Sequence, residues 1–231
     1  MIPASKIIVA LDTQDPAKLQ NLFQDLKGHN VWVKIGMEIF YSLGPSVVHQ
    51  AKEHGFKVFL DLKLHDIPNT VAQGLKSLST LPVDMMNVHA AGGLEMMTKA
   101  AEAIKGKVNS PLLIAVTQLT STTEDQMHKD QRISGPLLES VVHYASLAKE
   151  AGLDGVVSSP LEVTAIKHRL GNDFLTITPG IRPTGSDLGD QKRITTPLDA
   201  LKLGTDYMVI GRPITASPSP RQSLEDILKG N

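Results

Sequence analysis

The sequence contains no cysteine, so disulfide bonds, thiolate catalysis and cysteine-ligated metal sites are all excluded. Aromatic residues make up only 4% of the chain. No window approaches the roughly 20 consecutive apolar residues that a membrane-spanning helix requires. Neither sign of charge is in excess, because 23 lysines and arginines stand against 24 aspartates and glutamates. This balance argues against a protein that coats nucleic acid, since such proteins usually carry a basic surplus.

The composition that remains is typical of a globular protein, with 41% hydrophobic and 20% charged residues in a chain of 231. The first apolar run is short and ends at Asp12, which does not fit a signal peptide. No linker rich in proline, glycine and serine divides the sequence, and no charged block does so either. We therefore expect a soluble, cytoplasmic protein with one domain over residues 1–231.

Short β-rich runs alternate with helical segments along the whole chain. The runs span residues 7–12, 31–36, 57–63, 83–90, 112–121, 153–160, 174–182 and 206–214, and helical character is clearest over 93–105, 137–149 and 223–229. This alternation predicts a parallel sheet covered by helices, and its length favours a compact (β/α)8 barrel. The alternative is a doubly wound open sheet, but the glycine-rich fingerprint that usually follows its first strand is missing.

Catalytic groups of such barrels lie at the carboxyl ends of the strands, and nearly every predicted strand here ends in polar residues. The third run is the richest. Asp61 and Lys63 are two residues apart and are expected on the same side of the strand, Lys34 on the neighbouring strand can reach them, and Asp66 follows the strand end. Carboxylates and ammoniums that alternate keep one another charged, whereas each one buried unpaired would cost several kcal/mol. The set therefore indicates chemistry rather than stability.

A metal site is the weaker interpretation of this run. Asp61 and Asp66 could supply oxygen ligands, and His65 and His89 could supply nitrogen. Lys63 lies between the two carboxylates, however, and would compete with a cation for the same space. The His-x-x-x-His spacing of many zinc sites is absent from the sequence. We interpret both histidines as structural hydrogen-bonding residues and expect no metal.

The seventh and eighth strands end in a pattern suited to phosphate. Gly180 and Arg182 follow the seventh strand, and Gly211 and Arg212 follow the eighth, where barrel enzymes often bind phosphate. Glycine lets backbone N–H groups approach an anion, and arginine can bind two phosphate oxygens at once. Residues 181–196 are long for a barrel loop, which predicts a lid that closes over the bound phosphate. Gln191 would be a neutral donor to that phosphate or to a carbonyl of the base. The alternative is a surface insertion without function.

Six segments occur in order after Asp12, and the last of them contains Pro213: VKIG, DLKLHDIPNT, NVHAAGG, VTQLTS, TPGIRP and VIGRPI. Together they resemble the orotidine 5′-phosphate decarboxylase family, most closely its bacterial form. The resemblance covers nearly the whole chain. Its most specific part is the Asp-x-Lys-x-x-Asp-Ile-Pro block in combination with the terminal GRPI.

The resemblance implies decarboxylation of orotidine 5′-monophosphate to UMP without metal or cofactor, as the last step of de novo pyrimidine synthesis. It also implies a homodimer with active sites at the interface, in which Asp66 and Thr70 serve the partner's site. From the charge balance and the lack of a long apolar run we expect no nucleic-acid or membrane partner. The matched catalytic residues are Lys34, Asp61, Lys63 and Asp66. The matched substrate-binding residues are Asp12, Lys34, Thr70, Thr120, Arg182, Gln191, Gly211 and Arg212.

The chemistry of this reaction suits the residues present. Loss of CO₂ from C6 of a pyrimidine leaves a carbanion with no adjacent π-system, and the sequence has no signature of a cofactor that could take up the electrons. Lys63 is expected to stabilise the charge as a cation and then to protonate C6. Asp61 would lie near the substrate carboxylate and hold Lys63, while Lys34 would anchor Asp61 and a ribose hydroxyl.

Two other functions remain open from the sequence. Ketogulonate-phosphate decarboxylases and hexulose-phosphate synthases are metal-dependent relatives that share the Asp-x-Lys-x-x-Asp pattern, although Lys34 and the VTQLTS segment argue against them. A non-catalytic nucleotide sensor would keep the phosphate-binding residues, but it would have no use for Lys63 opposite two carboxylates.

Overall fold

The structure is a computed structural model that describes residues 1–106, 109–183 and 194–230. Within these residues, parallel strands close into a barrel in which the order around the barrel follows the order in the sequence. The strands are β1 (Ile7–Ala10), β2 (Trp32–Gly36), β3 (Lys57–Leu64), β4 (Met85–His89), β5 (Leu112–Val116), β6 (Gly155–Val157), β7 (Leu175–Thr178) and β8 (Tyr207–Ile210). The predicted (β/α)8 barrel is confirmed, and the open sheet is wrong because β8 pairs with β1.

Helices follow the strands around the outside of the barrel. They are α1 (Pro16–Leu26), α2 (Met37–Leu43), α3 (Ser46–Glu53), α4 (Pro68–Leu78), α5 (Gly93–Ile104), α6 (Glu124–Lys129), α7 (Leu137–Glu150), α8 (Val163–Leu170), α9 (Pro197–Lys202), α10 (Arg212–Thr215) and α11 (Pro220–Lys229). The three helical segments predicted from spacing correspond to α5, α7 and α11. Among the described residues, no helix is long and apolar enough to cross a membrane.

Most of the strands are shorter than the β-rich runs that predicted them. The run over 112–121 contains only β5, and the run over 153–160 contains only β6. In each case the polar end of the run leaves the sheet and forms the loop at the mouth of the barrel. Only the third run is extended, because β3 continues to Leu64.

The apolar core has two layers, one inside the barrel and one between the barrel and its helices. The inner layer consists of Ile8, Ala10, Trp32, Phe59, Met85, Ile114, Ile177 and Val209. Side chains alternate between the two faces of a strand, so the residue two positions later faces inward again. That residue is Lys34 after Trp32, Asp61 after Phe59 and Asn87 after Met85. The inner apolar layer is thus the floor on which the polar groups lie.

A repeated ion pair links neighbouring strands at the opposite end of the barrel. Asp84, just before β4, accepts a hydrogen bond from the backbone N–H of Val58 at 2.7 Å and one from Lys52 Nζ at 2.7 Å. The same arrangement recurs before β6, with Asp154, Leu113 N and Lys105, and before β8, with Asp206, Thr176 N and Lys167. Each aspartate therefore ties its own strand to the preceding one, far from the mouth.

Candidate active site

A cavity of about 510 Å³ opens at the carboxyl ends of the strands, which is within the size range of small-molecule sites. Its apolar walls come from Phe59, Val116, Val157 and Val209. The sequence-predicted residues that line it are Asp12, Lys34, Asp61, Lys63, Thr120, Gly180, Arg182, Gly211 and Arg212. The fold therefore brings together residues from six of the predicted strand ends, which lie up to two hundred positions apart in the sequence.

Four of these side chains form a continuous row of alternating charge. Lys34 Nζ lies 3.3 Å from Asp12 Oδ1 and 3.2 Å from Asp61 Oδ2. Lys63 Nζ lies 2.7 Å from Asp61 Oδ1. Asp61 is the most buried member, and Asp12, with half of its side chain exposed, lies at the solvent side. Alternation lets all four groups stay ionised in one small volume.

Burial and charge act in opposite directions on the two inner members of the row. Burial by itself would lower the pKa of Lys34, but Asp61 and Asp12 outweigh it, so that the pKa lies above its ordinary value. Burial would likewise raise the pKa of Asp61. Lys34 and Lys63 outweigh that effect, and hydrogen bonds from Lys63 and Asn87 add to it, so the pKa of this carboxyl is lowered. Both groups are therefore charged at neutral pH.

Lys63 reaches Asp61 through an irregularity in β3 rather than through simple alternation. The pairing of β3 with β4 runs from Leu60↔Met86 to Leu64↔Val88, so β3 contains extra residues between these points. Lys63 has a φ of 52°, a left-handed conformation that is unusual for a residue with a side chain. Asp61 and Lys63 do share one side of the strand and face the cavity, as expected, but they do so through a bulge rather than through the regular alternation from which this was predicted.

Asn87 lies behind this bulge and was not singled out from the sequence. Its Oδ1 accepts a hydrogen bond from the backbone N–H of Lys63 at 2.8 Å, and its Nδ2 donates one to Asp61 Oδ1 at 2.7 Å. The side chain is fully buried and does not line the cavity. A polar residue two positions after the inward-facing Met85 was the signal that could have indicated it.

The close approach of Lys34 to its own strand depends on a glycine. A Cβ atom built on Gly36 would lie 3.0 Å from Lys34 Nζ. That distance is tighter than almost all real contacts of this kind. A side chain at position 36 would therefore displace the ammonium from its position between Asp12 and Asp61.

Of the two histidines near the mouth, His89 departs from the expectation drawn from the sequence. The rings of His65 and His89 stack with their centroids 5.7 Å apart. Nδ1 of His89 is buried and has no hydrogen-bond partner in the part of the chain that the structure describes. Burial, followed by the charges of His65 and Lys63, lowers the pKa of His89. The interpretation of His89 as a hydrogen-bonding residue is therefore wrong for Nδ1. The ring is instead stacked on His65, with this nitrogen shielded from solvent.

The predicted phosphate side of the cavity is held by contacts after β7. Ile181 pairs with Thr195 in an isolated bridge, and Arg182 N donates to Thr195 O at 3.0 Å. Arg182 is buried, and its Nη1 donates to the carbonyl of Ile181 at 2.9 Å. Arg212 is exposed and begins α10 directly after Gly211. Gln191 and most of the predicted lid lie outside the described residues.

Asp66 and Thr70 are exposed and do not line the cavity of their own chain. Asp66 Oδ1 accepts a hydrogen bond from Ile67 N at 2.7 Å, just before α4 begins. Ile67 is 67% exposed, which is unusual for an isoleucine. Of the predicted catalytic residues, the structure therefore brings Lys34, Asp61 and Lys63 together in the cavity. It leaves Asp66, like Thr70, at the surface.

Gln118 lines the cavity and was not singled out from the sequence either. Its Nε2 donates to Gln131 Oε1 at 2.9 Å and to Ser140 Oγ at 3.2 Å. These bonds connect the loop after β5 both to the segment before α7, through Gln131, and to α7 itself, through Ser140, and they support the loop that carries Thr120. Within the described residues, no three side chains of histidine, aspartate or glutamate converge as a metal site would require.

The fold and this site define a class of protein: a (β/α)8 barrel with an ionic pocket at the carboxyl ends of its strands, where enzymes of this fold bind and transform substrates. The model of the orotidine 5′-phosphate decarboxylase / HUMPS family matches residues 5–227. The chain belongs to this family, as its motifs predicted.

Curated relatives support the same assignment. An orotidine 5′-phosphate decarboxylase of Streptococcus mutans is 62% identical over 197 residues, which cover 85% of this chain and 84% of that protein. The enzyme of the same name from Streptococcus suis is 52% identical over 95% of this chain and 94% of its own length.

Solved structures show the same fold. Orotidine 5′-phosphate decarboxylase from Lactobacillus acidophilus superposes with a TM-score of 0.85 at 40% identity, covering 97% of this chain and 98% of that one. An uncharacterized conserved protein from Geobacillus kaustophilus superposes with a TM-score of 0.83 at 44% identity, over 96% and 99% of the two chains.

Proposed function

We propose that this protein decarboxylates orotidine 5′-monophosphate to UMP and CO₂ without metal or cofactor, in de novo pyrimidine synthesis. The observation that carries the proposal is the row Asp12–Lys34–Asp61–Lys63, whose members are in contact along one wall of the cavity. Membership of the family and the names of the relatives support it further.

The substrate would lie across the cavity with its phosphate toward the loops after β7 and β8. Arg182, Gly211 and Arg212 would bind the phosphate, together with Gln191. Asp12 and Lys34 would bind ribose hydroxyls, since they form the end of the row away from Lys63. Thr120 would contact the edge of the pyrimidine. This orientation directs C6 and its carboxylate toward Asp61 and Lys63.

The reaction then requires one bond to break and one to form at C6. The C6–carboxylate bond breaks, CO₂ departs and the electron pair stays on C6. The ammonium of Lys63, already held 2.7 Å from Asp61 Oδ1, stabilises that charge and then transfers a proton to C6. Lys63 afterwards regains its proton from solvent. Because the ammonium is fixed before the substrate arrives, little reorganisation is needed during the reaction.

The contacts of Asp61 favour this mechanism over that of the metal-dependent relatives. One oxygen of its carboxylate receives Lys63 and Asn87, and the other receives Lys34. A divalent cation at Asp61 would have to displace at least one ammonium that neutralises the carboxylate. The charged row therefore supports a proton transfer rather than stabilisation of an enolate by a metal.

The proposal includes a homodimer in which Asp66 and Thr70 complete the partner's site. Both residues are exposed here, next to the exposed Ile67. Tyr41, which is 69% exposed, lines a surface depression together with Lys63 and His65. A second copy that covers these apolar side chains would bring a carboxylate toward Lys63 of its partner. We also propose a cytoplasmic location and a single domain, in keeping with a diffusible nucleotide as substrate.

The test is the change in absorbance of orotidine 5′-monophosphate after addition of purified, chelator-treated protein. We expect conversion to UMP at a rate that added magnesium does not increase. Turnover of a ketose phosphate only after magnesium is restored would assign the protein to the metal-dependent branch. Binding of UMP without turnover of either substrate would indicate a nucleotide sensor instead.

A further inference from the structure

We propose that Asn87 is a positioning residue that fixes the Lys63 ammonium relative to the Asp61 carboxylate. The inference rests on the proposed function and extends it to a side chain outside the cavity. It starts from the bulge in β3, where the regular pairing with β4 is interrupted between Leu60 and Leu64.

The interruption deprives β3 of regular backbone pairing, and the side chain of Asn87 compensates for it. The backbone N–H of Lys63 donates to Asn87 Oδ1 at 2.8 Å in place of a carbonyl of β4. An N–H group left unpaired in this buried position would be costly, so the bond stabilises the left-handed conformation of Lys63.

The other end of the same amide binds the carboxylate. Asn87 Nδ2 donates to Asp61 Oδ1 at 2.7 Å, and that oxygen also receives Lys63 Nζ at 2.7 Å. The orientation of the amide is determined by its partners, because a backbone N–H can only donate and a carboxylate can only accept. One planar group thus connects the backbone of Lys63 to the carboxylate that its own side chain binds.

This geometry has a consequence for the reaction. Lys63 is held at its backbone by Asn87 and at its tip by Asp61, so the ammonium has little freedom to move away from C6. Displacement of a reacting group by about 1 Å can reduce a rate about 100-fold. The amide itself touches neither cavity nor substrate, so its loss should reduce kcat more than it changes KM.

Two substitutions of similar size distinguish a role of Asn87 in positioning Lys63 from a role that only fills the core. Asn87→Leu fills the space without hydrogen bonds. Asn87→Asp reproduces both bonds only while the new carboxyl is protonated, because its carbonyl can accept from Lys63 N and its hydroxyl can donate to Asp61. Once ionised, it repels Asp61 instead. The charged or titratable groups facing this point are Asp61 and Lys63 on β3, Lys34 on β2 with Asp12 beyond it, and His89 with the stacked His65.

The experiment measures kcat and KM between pH 5 and 9 for both variants, the wild type and a Thr117→Val control. Thr117 is fully buried at the same end of the barrel, and its hydroxyl donates to Val157 O at 2.9 Å, outside the cavity lining. We expect Asn87→Leu to lose about 100-fold in kcat with KM changed by less than about threefold. Relative to wild type at each pH, Asn87→Asp should be most active at the acidic end and lose activity as pH rises.

Either of two kinetic results would overturn the inference: kcat of Asn87→Leu within threefold of the Thr117→Val control, or a pH profile of Asn87→Asp parallel to that of the wild type. If Asn87→Leu does not fold, the reversible pH response of Asn87→Asp still decides. If the wild type does not convert the substrate, the proposed function fails separately. Crystal structures of the wild type and Asn87→Asp at pH 5 and 9 then test whether Lys63 Nζ leaves Asp61 as the pH rises, and an unmoved ammonium rejects the inference.

Discussion

The carboxylate of Asp61 binds two lysines at once, Lys63 through Oδ1 at 2.7 Å and Lys34 through Oδ2 at 3.2 Å. Both contacts lie above the apolar floor of the barrel, where an unpaired charge would be strongly disfavoured. Asp61 therefore organises the row: removing either lysine leaves it partly uncompensated, and removing Asp61 leaves two neighbouring ammoniums without their common partner.

Lys63→Ala should abolish turnover of orotidine 5′-monophosphate while leaving UMP binding measurable. The substitution removes the only group proposed to protonate C6, but it leaves the residues proposed for phosphate and ribose intact. Steady-state rates measure the loss of turnover, and calorimetric titration measures the binding of UMP. Lys99→Ala is the control, because Lys99 forms an exposed surface pair with Glu102. Turnover of Lys63→Ala near the wild-type level would remove Lys63 from its proposed role.

Arg212→Ala should weaken the binding of nucleotides much more than the binding of nucleosides. If the guanidinium binds phosphate, its loss should weaken the binding of UMP by about 1.5–3 kcal/mol, which is the value of a charged hydrogen bond. The binding of uridine, which has no phosphate, should stay almost unchanged. Arg221→Ala is a suitable control, since that side chain is exposed and donates to Gln24 O. The dissociation constants of both ligands provide the measurement. An equal loss for UMP and uridine would contradict the phosphate assignment.

Mixing two inactive variants should restore part of the activity. Asp66→Asn and Lys63→Ala each damage a different part of the site, and a mixed dimer contains one site with neither change if Asp66 acts across the interface. Subunits are exchanged under mild denaturation, the mixed dimer is verified by native mass spectrometry, and its rate is measured. Verified mixed dimers that remain inactive would place Asp66 in the site of its own subunit.

Asp206→Ala should destabilise the barrel without a comparable loss of kcat. The carboxylate accepts hydrogen bonds from Lys167 at 2.6 Å and from the backbone N–H of Thr176 at 2.8 Å, at the end of the barrel remote from the site. Leaving these partly buried donors unpaired should cost about 1–3 kcal/mol of unfolding free energy. Denaturant unfolding measures the cost. Asp199→Ala is the control, because Asp199 pairs with Lys202 on the surface. A loss of kcat without a loss of stability would contradict this role.

The lowered pKa of His89 predicts a component of acid sensitivity. Burial, then His65 and Lys63, disfavour the charged ring in the folded state, whereas an unfolded histidine titrates near pH 6.5. Below that pH, His89 binds a proton in the unfolded chain but not in the folded chain. The free energy of unfolding therefore falls as the pH decreases toward the pKa of His89 in the folded state. The free energy of unfolding of the wild type should therefore fall more steeply between pH 6.5 and 5 than that of His89→Gln. Parallel curves for the two proteins would show that His89 contributes nothing.

The sequence by itself determined the class of fold and most of the candidate site. Buried strands that alternate with helices have few ways to form a covered parallel sheet, and polar residues at strand ends must meet at its carboxyl edge. Asp61, Lys34 and Arg182 could be named for that reason, since each lies beside a recognisable strand end or within a specific motif.

Only the tertiary structure decided how these groups are held. The sequence spacing of Asp61 and Lys63 suggested a regular strand, but pairing with β4 produces a bulge, and pairing cannot be read from one strand alone. Asn87 looked like one polar residue in an apolar run until β3 brought Lys63 N and Asp61 to its two ends. Local spacing shows which face a residue occupies, whereas the partner on that face comes from a strand 24 or more positions away.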